Sequence, residues 1–188
     1  MPDKSGNYSL LKRGEEMEKR RMKAVDALKL CIERERGANK FYRNAADSTK
    51  DRNGKNMFNW LAKEELRHLA KLRQQLKSVM DNNKWLEWKR ETAPMNKTEF
   101  PSISEAKGTT TVDASEMDAL RQGIKSEQDA IAFYKDAEDS TPDLKGKNMF
   151  RALGKEEEGH LSLLEEELQW LTQSRKYFTI HRFQLRAE

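Results

Sequence analysis

The chain has one cysteine, Cys31, among 188 residues, which excludes an internal disulfide, a CxxC redox pair and any four-cysteine metal site within it. Glycine (9 residues) and proline (4) are scarce and aromatics make up only 8%, a composition that favours helix. No stretch approaches the ~18 apolar residues of a membrane span, and the N-terminus MPDKSGNYSLLKRGEEMEKRR lacks the apolar core of a secretory signal. These absences predict a soluble, cytoplasmic protein with no membrane partner. Neither sign of charge dominates, since 36 basic residues face 32 acidic ones for a net charge of +4. The single-sign field that nucleic-acid binding needs is missing, so no nucleic-acid partner is expected. The length suits one domain spanning residues 1–188.

What the chain does have is an internal duplication. Shifting it by 92 residues lays 26–72 over 118–164, with 25 of 47 positions identical and no gap. The register persists weakly beyond, placing Lys84, Trp85 and Leu86 over Lys176, Tyr177 and Phe178. Each copy reads as two helices of about 30 residues joined by a polar turn, DSTKDRNG in one and DSTPDLKG in the other. Repeat 1 covers about 24–89 and repeat 2 about 115–180. Between them, about 90–114 holds Pro94, Pro101 and Gly108 followed by three threonines, and reads as a crossover long enough to traverse the bundle. Asp113 and Glu116 resemble a capping box opening the third helix. The segment before Ala24 is expected to extend the first helix or to dock on a partner; residues 177–188 are too short to assign. The expected fold is all-α, a four-helix bundle of two helical hairpins.

Two residues are out of place in the inward stripe Phe58, Leu61, Glu65, His68, Leu72: a buried, unpaired carboxylate costs several kcal/mol. The second copy repeats the anomaly as Glu157 and His160. The midpoint of Glu35 and Glu65 is position 50, inside the first turn; that of Glu127 and Glu157 is Pro142, inside the second. Residues equidistant from a turn face each other, so Glu35 is expected opposite Glu65 and Glu127 opposite Glu157. Each His lies one turn beyond its Glu. A two-fold then converges all six at mid-bundle, and a metal centre is the economical explanation. Four carboxylates balance two divalent ions when both imidazoles are neutral.

One Glu from each of two helices plus Glu-x-x-His from each of the other two is the ligand pattern of ferritin-like dinuclear carboxylate proteins. Over residues 24–176 the chain resembles the rubrerythrin branch of that superfamily. The resemblance rests on Glu35, Ala38 and Tyr42, on Glu127, Ala130 and Tyr134, and on KEE-x-x-H-L in each second helix. It implies that Glu65 and Glu157 bridge two metals, that Glu35, Glu127, His68 and His160 are terminal ligands, and that Tyr42 and Tyr134 hydrogen-bond the ligands. Two departures stand out: the cysteine-ligated rubredoxin module is missing, and Ala130 stands where that family carries an additional Glu.

Mixed oxygen and nitrogen ligands suit two iron ions, with manganese or zinc also able to bind. The leading expectation is a non-haem di-iron oxidoreductase reducing peroxide or dioxygen with an external electron-transfer protein as donor, protecting against oxidative stress. The alternatives are an iron-binding ferroxidase and a helical interaction module with a structural metal. Dimers are common in the family, so a homodimer is one expectation. Cys31 reads as a small buried hydrophobe, Trp60, Trp85, Trp88 and Trp170 as core or interface residues, His181 as structural or exposed, and the run from Lys12 to Lys23 as a solvated helix face.

Overall fold

The repeated turn motif works the same way in both copies. Thr49 ends the first helix by returning its hydroxyl to Ala45 O at 2.8 Å, and Asp51 Oδ2 then accepts Asn53 N and Gly54 N at 2.8 and 2.9 Å. In the second copy Thr141 bonds Ala137 O at 2.7 Å and Asp143 Oδ1 accepts Lys145 N and Gly146 N. One threonine and one aspartate thus satisfy orphan backbone groups on both sides of each turn.

The computed structural model describes residues 4–89 and 114–184, with side chains described over 14–89 and 115–173. Four helices are found there: α1 Lys4–Ser48, α2 Arg52–Asn82, α3 Ala114–Ser140 and α4 Leu144–Gln184. They form a ferritin-like four-helix bundle. Helix α1 packs along α2 and α3 along α4, and the hairpins meet through α1 against α3 and α2 against α4. The start of α2 lies beside α3 and α4 near Asp51, Glu116 and Glu167, whereas Trp85, just past α2, packs on Phe150 near the start of α4. The end of α2 and the start of α3 therefore lie at opposite ends of the bundle. The crossover itself, Asp113 of the expected cap, the tail beyond 184 and the side chain of His181 lie outside the described residues.

Two expectations need correction. The outer helices are longer than about 30 residues: α1 has 45 and α4 has 41. The segment before Ala24 continues α1, where Glu16 with Arg20 and Glu18 with Arg21 form exposed pairs one helical turn apart; over 14–23 its face is largely solvated. The weak register beyond the repeat is not structural either. Helix α2 stops at Asn83, which adopts the left-handed region (φ 50°, ψ 38°) that asparagine tolerates. Its counterpart Arg175 does not favour that conformation, and α4 continues through it.

The apolar core is split into two layers, each fed by both hairpins. One gathers Leu28, Cys31, Leu72, Met149, Phe150 and Leu153; the other gathers Phe58, Leu61, Leu120, Leu164 and Leu171. Each fully buried Leu or Phe contributes about 2–3 kcal/mol. The polar residues at mid-bundle lie between these layers. Cys31 is fully buried in the first, and burial with the nearby Glu35 charge pushes its thiol far up.

Candidate metal centre

Glu35, Glu65, His68, Glu127, Glu157 and His160 are all buried, none more than 3% exposed. Helical spacing brings Glu65 and His68 to one face of α2 and Glu157 and His160 to one face of α4. They form two four-residue groups, Glu35–Glu65–His68–Glu157 and Glu65–Glu127–Glu157–His160, each with ligand atoms within 4.8 Å of one another. Glu65 and Glu157 belong to both groups. His68 Nδ1 lies 3.2 Å from Glu35 Oε2, 3.4 Å from Glu157 Oε1 and 3.5 Å from Glu65 Oε2. His160 Nδ1 lies 2.8 Å from Glu157 Oε2 and 3.1 Å from Glu65 Oε1. The two imidazoles stack with centroids 5.7 Å apart.

These contacts are close but poorly satisfied. Glu65 Oε1, both oxygens of Glu157 and Nδ1 of His160 have no hydrogen bond of proper direction. Buried polar atoms without partners are expensive, and four of them converging from two helices fit a metal site. A cavity of about 270 Å³ opens between α1 and α3 onto Glu35, Glu65, Glu127 and Glu157, past Ala38 and Ala130.

Metal-free, the cluster neutralises itself with protons. Burial, reinforced by the charges of Glu65 and Glu157, raises Glu35 well above the carboxylate range, and burial with the Glu157 and Glu65 charges raises Glu127 to about 9. Burial also opposes ionisation of Glu65, but the neighbouring Glu35 carboxyl and the His160 and His68 imidazoles hold it well below the usual range. In Glu157, burial and the Glu65 charge are outweighed by His160 and His68, and it is lowered. Both histidines are raised despite burial, first by the Glu157 charge. These shifts favour protons on Glu35, Glu127 and both imidazoles, and the anionic form of Glu65 and Glu157.

Around this ring the hairpins are cross-braced. Tyr42 of α1 donates its hydroxyl to Glu127 of α3, and Tyr134 of α3 donates to Glu35 of α1. Burial and the neighbouring carboxylate push both phenols up, so they remain donors. One functional residue escaped the sequence reading: Glu156 Oε2 lies 2.9 Å from Nε2 of His68, across the hairpin interface. Trp88 Nε1 in turn donates to Glu156 Oε1 at 3.3 Å. The chain after α2 holds that indole in place, with Gln75 bonded twice to the Leu86 backbone and Lys71 over the Trp88 ring. The sequence carries its signal as the first glutamate of the doubled pair in KEE-x-x-H. In the other copy that glutamate, Glu64, is bound by Arg67. Trp60 sits edge-on to His160 at 5.7 Å.

A four-helix bundle whose two hairpins converge four carboxylates and two histidines defines a ferritin-like protein with a buried cluster fit for metal. Residues 26–168 match the Rubrerythrin family, and the chain belongs to it. Among solved structures it is similar to a hypothetical protein from Pyrococcus furiosus, 27% identical, with a TM-score of 0.59 over 80% of this chain and 90% of that one. No curated protein gives a significant match. No described helix is long and apolar enough to cross a membrane.

Proposed function

We propose that this protein is a non-haem di-iron oxidoreductase that reduces peroxide or dioxygen with electrons from an external donor protein. The observation that carries this reading is the sharing of Glu65 and Glu157 between the two ligand groups, which suits two ions joined by two carboxylates. Glu35 and His68 would complete one ion's ligands, and Glu127 and His160 the other's. When bound, iron would supply two electrons and open coordination positions for a small oxidant.

The rest belongs to the chain itself. Glu156, by accepting from Nε2 of His68, leaves Nδ1 as the free ligand nitrogen. Tyr42 and Tyr134 orient Glu127 and Glu35 by hydrogen bonds from the opposite hairpin. The cavity between α1 and α3, about 270 Å³, is large enough for dioxygen or hydrogen peroxide and small for a drug-sized organic substrate.

A second reading, ferroxidation for iron handling, is favoured by Ala130, which leaves the cavity without the extra Glu of the family pattern. Peroxide consumption by iron-loaded protein with a chemical reductant separates the two. Steady turnover over many equivalents is expected. A single burst stoichiometric with iron would refute the oxidoreductase and support the ferroxidase.

A further inference from the structure

A second buried carboxylate cluster lies at one end of the bundle, away from the centre just described. Asp51 at the start of α2, Glu116 on α3 and Glu167 on α4 each bring one oxygen within 4.8 Å of the others. Glu116 and Glu167 are buried, at 2% and 8% exposure, and half-buried Asp51 opens the group to solvent. Glu167 follows Glu157 by ten residues on α4, which sets the two places ~15 Å apart.

The N-terminus of α2 explains part of this group. Asp51 caps it, and Gly54 lets Glu116 approach, since a Cβ there would collide with Glu116 Oε1. It does not explain Glu167, which comes from the opposing helix and whose Oε1 is buried without a hydrogen-bond partner. Burial and the Asp51 charge push Glu167 up to about 7, yet no shared proton accounts for an oxygen that makes no hydrogen bond. The duplication supplies a built-in comparison. The counterparts of Asp51, Glu116 and Glu167 are Asp143, Ala24 and Gln75. At that end the Gln75 amide is satisfied by the Leu86 backbone, and Trp85 fills the space over Gly146. Among the described residues, one end of the duplicated bundle has gathered three carboxylates and the other has not.

We propose that Asp51, Glu116 and Glu167 bind one hard divalent cation of the magnesium, calcium and manganese class, separately from the six-residue centre. Three carboxylate oxygens with no nitrogen or sulfur donor select that class, and the exposed side of Asp51 leaves room for water to complete its shell.

The test uses full-length protein whose six-residue centre has first been loaded with two equivalents of zinc, followed by titration with manganese read from the paramagnetic resonance signal of the free ion. One further equivalent should bind, with magnesium or calcium competing. Glu167→Gln, which installs the residue found at the matching position of the first repeat, should weaken manganese binding at least about ten-fold while retaining both zinc ions. Asp143→Asn, at the opposite end, should leave manganese binding unchanged. Circular dichroism checks folding, and Glu116→Gln replaces Glu167→Gln if that variant does not fold. Absence of a third ion in the parent protein, retention of manganese in Glu167→Gln, or its loss in Asp143→Asn would each overturn the proposal.

Discussion

Loading the six-residue centre should release protons, and the structure gives the number. Metal-free, the environment favours protonated Glu35, Glu127, His68 and His160 and anionic Glu65 and Glu157. Two divalent ions bound by four carboxylates and two neutral imidazoles displace all four protons. At ~1.4 kcal/mol per proton per pH unit, metal affinity rises steeply with pH. The same protons set the stability of the metal-free fold. The four raised groups contribute stability that is complete below their unfolded values, ~4.3 for Glu and ~6.5 for His, and lost as pH rises through their folded values, about 9 for Glu127. The lowered Glu65 and Glu157 work oppositely: their contribution is present above ~4.3 and lost as pH falls through their folded values. The raised groups therefore make the metal-free fold lose stability as pH rises from acid towards about 9, where Glu127 gives up its proton. Anaerobic calorimetric titration with ferrous iron, in two buffers of different ionisation heat and with millimolar magnesium to saturate oxygen-only sites, counts the protons. Nearly four per two iron ions are expected at pH 7, falling near pH 9 as Glu127 deprotonates unaided. Release of one or none would refute the charge assignment and, with it, the burial of these groups as one cluster.

In the same magnesium-containing buffer, iron binding should saturate near two equivalents per chain, because neither hairpin alone supplies more than three of the six ligands; an endpoint at one would sink the dinuclear reading. Glu65→Ala and Glu157→Ala should have matching effects and abolish binding of the pair, whereas Glu33→Ala should be silent, since Glu33 is exposed and paired with Arg36; equilibrium dialysis compares the three. Glu156→Gln should weaken iron binding ~10–100-fold by loosening His68, with Trp88→Phe weaker in effect and Glu33→Gln without any, as read by iron titration.

The duplication, the helical period and the equal distances of Glu35 and Glu65 from the first turn, and of Glu127 and Glu157 from the second, were enough to place six residues at one height of a four-helix bundle. That inference works because a hairpin is local: its facing pairs follow from the turn position and a rise of 1.5 Å per residue. Tyr42 and Tyr134 came from the family resemblance instead, and only the bundle shows each bracing the other hairpin's carboxylate. The sequence also left the difference between the copies unread at their ends, where Asn83 stops α2 while Arg175 lets α4 continue. Contacts between hairpins depend on their relative rotation and offset, which no spacing within one hairpin encodes. The antiparallel packing of α2 on α4 decided that Glu156 reaches His68, 88 residues away, and that Asp51 meets Glu116 and Glu167 at the far end. Repeat arithmetic would give each half identical neighbours; the tertiary structure made one end a tryptophan-filled joint and the other a carboxylate cluster, because different side chains meet there when the copies pack head to tail.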